Sequence, residues 1–167
     1  EREHIRRAIQ SLKQTVGDRP AGWYCRYGPS VNTRRLLVEE GGFTYDSDYY
    51  GEELPFWQTV AGKPHLVVPY SLTNNDGKYA AGMVNSDQWF GLVRDAFDVL
   101  YREGATAPKM MSVGLHQRLI GHPGRIAGLW RFLDHVQKHS GVWVTGRLDI
   151  AKHWIATHPY PGKGLNE

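Results

Sequence analysis

Short apolar runs that suit β-strands alternate four times with longer runs of helical periodicity along these 167 residues. This order constrains the fold more than any other feature. A strand, a helix and another strand in sequence predict parallel strands joined by crossover helices, hence an α/β architecture closed as a barrel or opened as a doubly wound sheet. The chain opens "EREHIRRAIQSLKQTVGDRP", where Ile5, Ile9, Leu12 and Val16 recur at helical spacing and Gly17 ends the run. A strand is expected from about Gly22 to Arg26. A helix capped near Ser30 or Asn32 and ended by Gly41-Gly42 should follow, then a strand in "FTYDSDYY". "GEELPFW" reads as a loop and "KPHLVVPY" as a buried strand. The clearest helix is "SDQWFGLVRDAFDVLYREG", with Ser86 as its cap. "PKMMSVGLH" and "VWVTG" read as strands, each leading into a helix, the second of which is "RLDIAKHWIATH".

No Gly-rich dinucleotide fingerprint follows any strand and no GxxxxGK[ST] occurs, so a barrel is favoured over a nucleotide-binding sheet. A hydrophobic fraction of 41% supports a single packed domain over residues 1–167. The formal charge of +3 is spread over scattered Lys and Arg, which argues against nucleic-acid and membrane partners. The one cysteine, Cys25, excludes an internal disulfide and suits a cytoplasmic location. No apolar stretch approaches the ~20 residues of a membrane span.

In a parallel barrel the reacting groups lie at the carboxyl ends of strands and in the loops beyond. Those positions here are Cys25-Arg26, Asp46 and Asp48, Tyr70 to Asp76, His116, and Thr145-Gly146-Arg147. An arginine, paired carboxylates and a histidine make a set able to hydrolyse acyl or amide bonds. His116 can protonate a departing nitrogen; equally, it can be a satisfied residue at a loop start. Asp46 and Asp48 lie two apart and so face one side of a strand. His122 reads as a loop residue, and His135, His139 and His153 as solvated helix positions. Cys25 reads as a small buried residue rather than a nucleophile. No metal ligands are assigned within this chain.

"GWYCRYGPSVNTRRLLVEEGGFTYDSDYYGEELPFW", "KPHLVVPYSLTNND" and "VGLHQRLIGHPGRIAGLWRFLDHV" together resemble the polysaccharide deacetylase superfamily, carbohydrate esterase family 4-like. Within it they are most similar to the branch of allantoinase-type and cyclic-imide hydrolases. The resemblance covers nearly the whole chain and implies the carboxyl-terminal half of a distorted (β/α)7 barrel. It implies that an N-terminal half of the same barrel supplies an Asp pair and a histidine pair. Zinc or another divalent metal, if used, would be held there; the allantoinase-type members imply none. Carried over by motif, Arg26 positions the base, Asp46 tunes the catalytic histidine, and His116 is the general acid. Glu53, Leu54, Trp57, Asn75 and Asp76 would line the pocket. Arg26 is followed by Tyr-Gly-Pro, and Leu115 directly precedes His116; both departures favour the cyclic-amide branch over sugar-polymer members. The implied activity is hydrolysis of a non-peptide C–N bond in a small cyclic amide. A polysaccharide or peptidoglycan N-deacetylase and a non-catalytic carbohydrate-binding module are the alternatives. A homo-oligomer is expected.

Overall fold

A computed structural model describes residues 1–26 and 28–162. Tyr27, part of the departure from the family pattern, lies outside the described residues. The chain divides into two compact units, residues 1–69 with 145–167 and residues 70–144.

The first unit contains a four-stranded sheet: β1 (Gly22–Trp23), β2 (Tyr45–Asp46), β3 (Phe56–Val60) and β4 (Lys63–Val67), in the order β1-β2-β4-β3. β1, β2 and β4 run parallel, with Gly22 beside Tyr45 and Tyr45 beside Leu66. β3 is antiparallel to β4, with Val60 opposite Lys63, so the sheet is mixed rather than wholly parallel. The hairpin corrects the reading of "GEELPFW" as loop. It turns at Ala61 (φ 50°) and Gly62 (φ 74°), both in the left-handed region that a two-residue turn of this kind requires.

Helix α1 (Arg2–Val16) lays Ile5 and Ile9 against Leu36 and Leu37 of α2 (Thr33–Glu40), with Trp23 and Phe43 beside them. Leu12 and Val16 were expected on that buried face but are exposed. At 1.5 Å per residue α1 is about 22 Å long and α2 about 12 Å, so α2 covers only part of it. α6 (Arg147–Thr157) completes the unit. Trp57 Nε1 donates to His158 O at 2.7 Å beyond α6, and its ring meets Tyr160 edge-on.

The second unit is helical. α3 (Ser86–Glu103) packs on α5 (Pro123–Val136), and Trp89, Val93, Phe97, Phe132 and Val136 fill the space between them, joined by Tyr79 and Ile120. Gly128 permits the close approach: a β-carbon there would lie 2.8 Å from Ser86 O. Asn85, not Ser86, caps α3, its side chain accepting from Asp87 N and Gln88 N. Ser86 Oγ instead accepts from Arg131 of α5. His122 precedes Pro123, which starts α5 where its missing N–H costs nothing. A 3-10 turn (Asp76–Tyr79) and the single turn α4 (Gln117–Ile120) were not anticipated.

The expected strand in "PKMMSVGLH" is reduced to one bridge, Asn75 with Gly114, and "VWVTG" forms none among the described residues. No helix among the described residues is long and apolar enough to cross a membrane.

Candidate active site

Two sets of chemistry-bearing side chains, one in each unit, contain residues singled out from the sequence. In the second unit Asp76 opens the 3-10 turn. Asn75 caps it, accepting from Gly77 N at 2.7 Å, and donates to Tyr70 Oη at 2.7 Å. Asp76 N donates to Gly114 O at 2.9 Å, which brings the segment leading to His116 alongside the turn. A β-carbon on Gly114 would sit 2.2 Å from Tyr70 Oη and 2.4 Å from Asn75 Nδ2, so this approach requires glycine.

The carboxylate of Asp76 is fully buried. Its Oδ2 accepts from His116 N at 2.7 Å and from Ile120 N at 3.2 Å; its Oδ1 lies 2.6 Å from His116 Nδ1. An ionised carboxylate can only accept, so Nδ1 carries a hydrogen. Nε2 is then the working nitrogen: a proton acceptor in the neutral ring and a donor in the imidazolium. The His116 side chain is 36% exposed, so a ligand can reach it. A buried Asp holding a half-exposed His by one ring nitrogen is an arrangement able to give or take a proton at the other nitrogen.

In the first unit Asp46 ends β2 and is wholly buried. Arg34 of α2 grips it with two bonds, Nε to Oδ2 at 2.7 Å and Nη2 to Oδ1 at 2.9 Å. His65 Nε2 lies 2.8 Å from Oδ2, and Asp48 N donates to Oδ1 at 2.9 Å. Four donors fill the lone pairs of the two oxygens. Burial alone would push this carboxyl up. The bonds and charges of Arg34 and His65 outweigh it and bring it down to about 2.

Asp48 is shifted the other way. Burial raises its carboxyl and the Asp46 charge adds to that, against a bond from Cys25 N to Oδ1 at 2.8 Å. Its Oδ2 is buried with no partner among the described residues. Cys25 is half-buried, its thiol raised by burial while Trp23 Nε1 donates to its sulfur at 3.1 Å. A thiol held up in this way is a poor nucleophile. Arg147 Nη1 ties the strand ends together, donating to Ser47 Oγ, Val68 O and Pro69 O.

The anticipated residues therefore divide. The carboxylate bonded to the His116 ring is Asp76, whereas the oxygens of Asp46 are bonded to groups of the first unit. The four bonds of Asp46 make it an anchor for Arg34, His65 and the Asp48 backbone. Asp76 and Asn75, expected to line a pocket, are committed to building the turn. Trp57 likewise spends its N–H on His158. Arg26 lies in an exposed turn after β1, Glu53 is exposed, and Leu54 is half-buried just before β3. Arg34 and His65 were missed; so were the consequences of Arg147. Among the described residues neither set brings three metal-ligating atoms close enough to share an ion.

No family model matches the chain. A Schizosaccharomyces pombe protein named as a polysaccharide deacetylase is 42% identical, over 96% of this chain and 56% of its own length. The crystal structure of PuuE allantoinase is 53% identical with a TM-score of 0.90, over 96% of this chain and 54% of its own. A Pseudomonas aeruginosa PAO1 structure named for polysaccharide deacetylase gives the same values. A Mycobacterium smegmatis structure named in the same way is 26% identical with a TM-score of 0.83, over 99% of this chain and 59% of its own. The chain thus spans about half the length of the relatives it matches. Over that span, the chain is similar to proteins named as polysaccharide deacetylases and to an allantoinase.

Proposed function

We propose that this chain acts as the carboxyl-terminal half of a distorted (β/α)7 barrel that hydrolyses non-peptide C–N bonds. Its substrate is a small cyclic amide of the allantoin or imide type. The observation that carries the reading is the buried Asp76 bonded to Nδ1 of the half-exposed His116. Water, activated by a base in the N-terminal half, adds to the carbonyl carbon. As the tetrahedral adduct collapses, the C–N bond breaks and its electron pair stays on nitrogen. His116 Nε2 supplies the proton that the nitrogen takes up, and the imidazole is left neutral. Asp76 holds the ring in the tautomer this transfer needs and stabilises the imidazolium before it. Arg26, in the exposed turn after β1, takes the part of positioning the base that the family resemblance gives it. The identity to PuuE allantoinase supports the cyclic-amide substrate.

N-deacetylation of a sugar polymer is the second reading, supported by the names of the S. pombe and P. aeruginosa relatives. The same proton delivery would there release an amino sugar. The test uses the full-length protein with allantoin, cyclic imides and N-acetylated oligosaccharides as separate substrates. Ring opening of the cyclic amides, with kcat reduced about a hundredfold or more in His116→Ala, is the expected result. Unchanged turnover in a folded His116→Ala protein would remove this histidine from the reaction. Acetate release from the oligosaccharides alone would select the second reading, and no hydrolysis of any would favour a binding module.

A further inference from the structure

We propose that Asp98, His135 and His139 form a binding site for a divalent transition-metal ion of the zinc class, distinct from the groups assigned to hydrolysis. Asp98 comes from α3, His135 from the last turn of α5, and His139 from the turn that follows. One ligand atom from each lies within 4.8 Å of the others. In the sequence both histidines stand at helix positions of the kind that are solvated. Yet "HVQKH" spaces them four apart, the interval that stacks two side chains on one helical face.

The hydrogen bonds prepare the site. His139 Nδ1 lies 2.9 Å from His135 O. A carbonyl only accepts, so Nδ1 carries the hydrogen and Nε2 keeps a lone pair that can bind an ion. A backbone carbonyl that fixes the tautomer of a ligating histidine is the usual outer support of a metal site. His135 Nε2 lies 2.6 Å from Asp98 Oδ1, close enough that one proton joins them. A metal ion takes the place of that proton, which moves to Nδ1 of the same ring. The two ligand atoms then separate to about 3.3 Å, the edge of a tetrahedron with zinc bond lengths near 2.0 Å. Both side chains have room for this: His135 is 23% exposed and Asp98 44%.

Packing holds the rings in place. Phe97 meets His135 and His139 edge-on at 5.6 and 5.1 Å, and Tyr101 meets His139 at 4.7 Å. Tyr101 Oη donates to Ser140 O, which ties the segment carrying His139 to α3. The carbonyl end of α5 adds a field that favours a cation. Two imidazoles and one carboxylate suit zinc, nickel or copper better than magnesium or calcium, and water completes the coordination. A bound ion would staple α3 to α5.

The test is titration of chelator-stripped full-length protein with Zn2+, followed by calorimetry and by thermal melting. Wild type should bind one equivalent more than His139→Ala, and zinc should raise the melting temperature of wild type more than that of the variant. Asp98→Asn, a change at a partly exposed carboxylate that leaves the packing intact, should bind at least tenfold more weakly at this site and serves if His139→Ala does not fold. Identical stoichiometry, affinity and zinc-induced shift in wild type and a cooperatively melting variant would overturn the proposal.

Discussion

Asp46 and Asp48 stand two residues apart and should respond to the same substitution with opposite sign. Asp46→Asn replaces a fully buried carboxylate that receives Arg34, His65 and the Asp48 N–H. One amide can no longer accept at both positions, and the Arg34 charge loses its counter-ion. Breaking a buried pair in this way costs roughly 3–5 kcal/mol. The pH dependence probes the part of this that belongs to the ionised carboxyl. The Asp46 carboxyl is lowered from 3.8 to about 2 in the folded protein, which corresponds to about 2.5 kcal/mol. Because the folded value lies below the unfolded one, this stability is fully present above about pH 4. It is lost as the pH falls towards 2, where both states bind the proton. Asp48 behaves in reverse. Its carboxyl is raised, so the folded state binds a proton more readily than the unfolded chain, and at neutral pH the ionised group opposes folding. An amide can still accept from Cys25 N through its carbonyl, and the substitution removes a buried charge with an unpartnered oxygen. Asp48→Asn should therefore be neutral or stabilising at pH 7. Denaturant unfolding of the full-length protein and both variants between pH 2 and 7 is the assay. The gap between wild type and Asp46→Asn should narrow by about 2 kcal/mol as the pH falls from 7 to 2. A loss below about 1 kcal/mol for Asp46→Asn at pH 7, or an equal loss for both variants, would refute the reasoning.

Asp76→Asn should keep the turn partly formed while leaving His116 in the wrong tautomer. A fall in kcat on the order of a thousandfold, with little change in KM, is expected from steady-state kinetics. Gly114→Ala forces a methyl group into the Tyr70–Asn75 hydrogen bond and should destabilise by about 1–3 kcal/mol in denaturant unfolding, with activity falling alongside. Ala61→Asn places a residue that tolerates the left-handed region at the hairpin turn, and should raise stability by about 0.5–1 kcal/mol in thermal melts.

The helices were legible because each carries its own signal. The periodic face of α3 and Gly41 after α2 mark elements without reference to distant residues. The sheet was less legible. β3 was hidden because its turn is Ala61-Gly62, where Asn-Gly would have announced a hairpin. Two apolar segments read as strands, "PKMMSVGLH" and "VWVTG", have the composition of strands but not the pairing. Composition reports that a segment is extended and half-buried. A ladder exists only when another backbone lies alongside, and no local pattern encodes that.

The site divides along the same line. His116 was visible as a histidine at the end of an apolar run, but its partner lies 40 residues earlier in a turn no strand pattern marks. Arg34 reads as one more charge on a helix and His65 as a polar gap in a strand; they meet Asp46 only because β2 lies between β1 and β4. Asp46, the acid that the family motif pairs with the histidine, has a strand around it, whereas the bond to the ring comes from Asp76 in a turn. Asp76 does two jobs with one carboxylate: Oδ2 fixes the backbone at His116 and Ile120, and Oδ1 fixes the ring. The same group that shapes the loop aims the imidazole. A proton donor presented on a loop gains in this way the rigidity that a strand end would otherwise supply, which explains how His116 can be held for chemistry where the expected strand is absent.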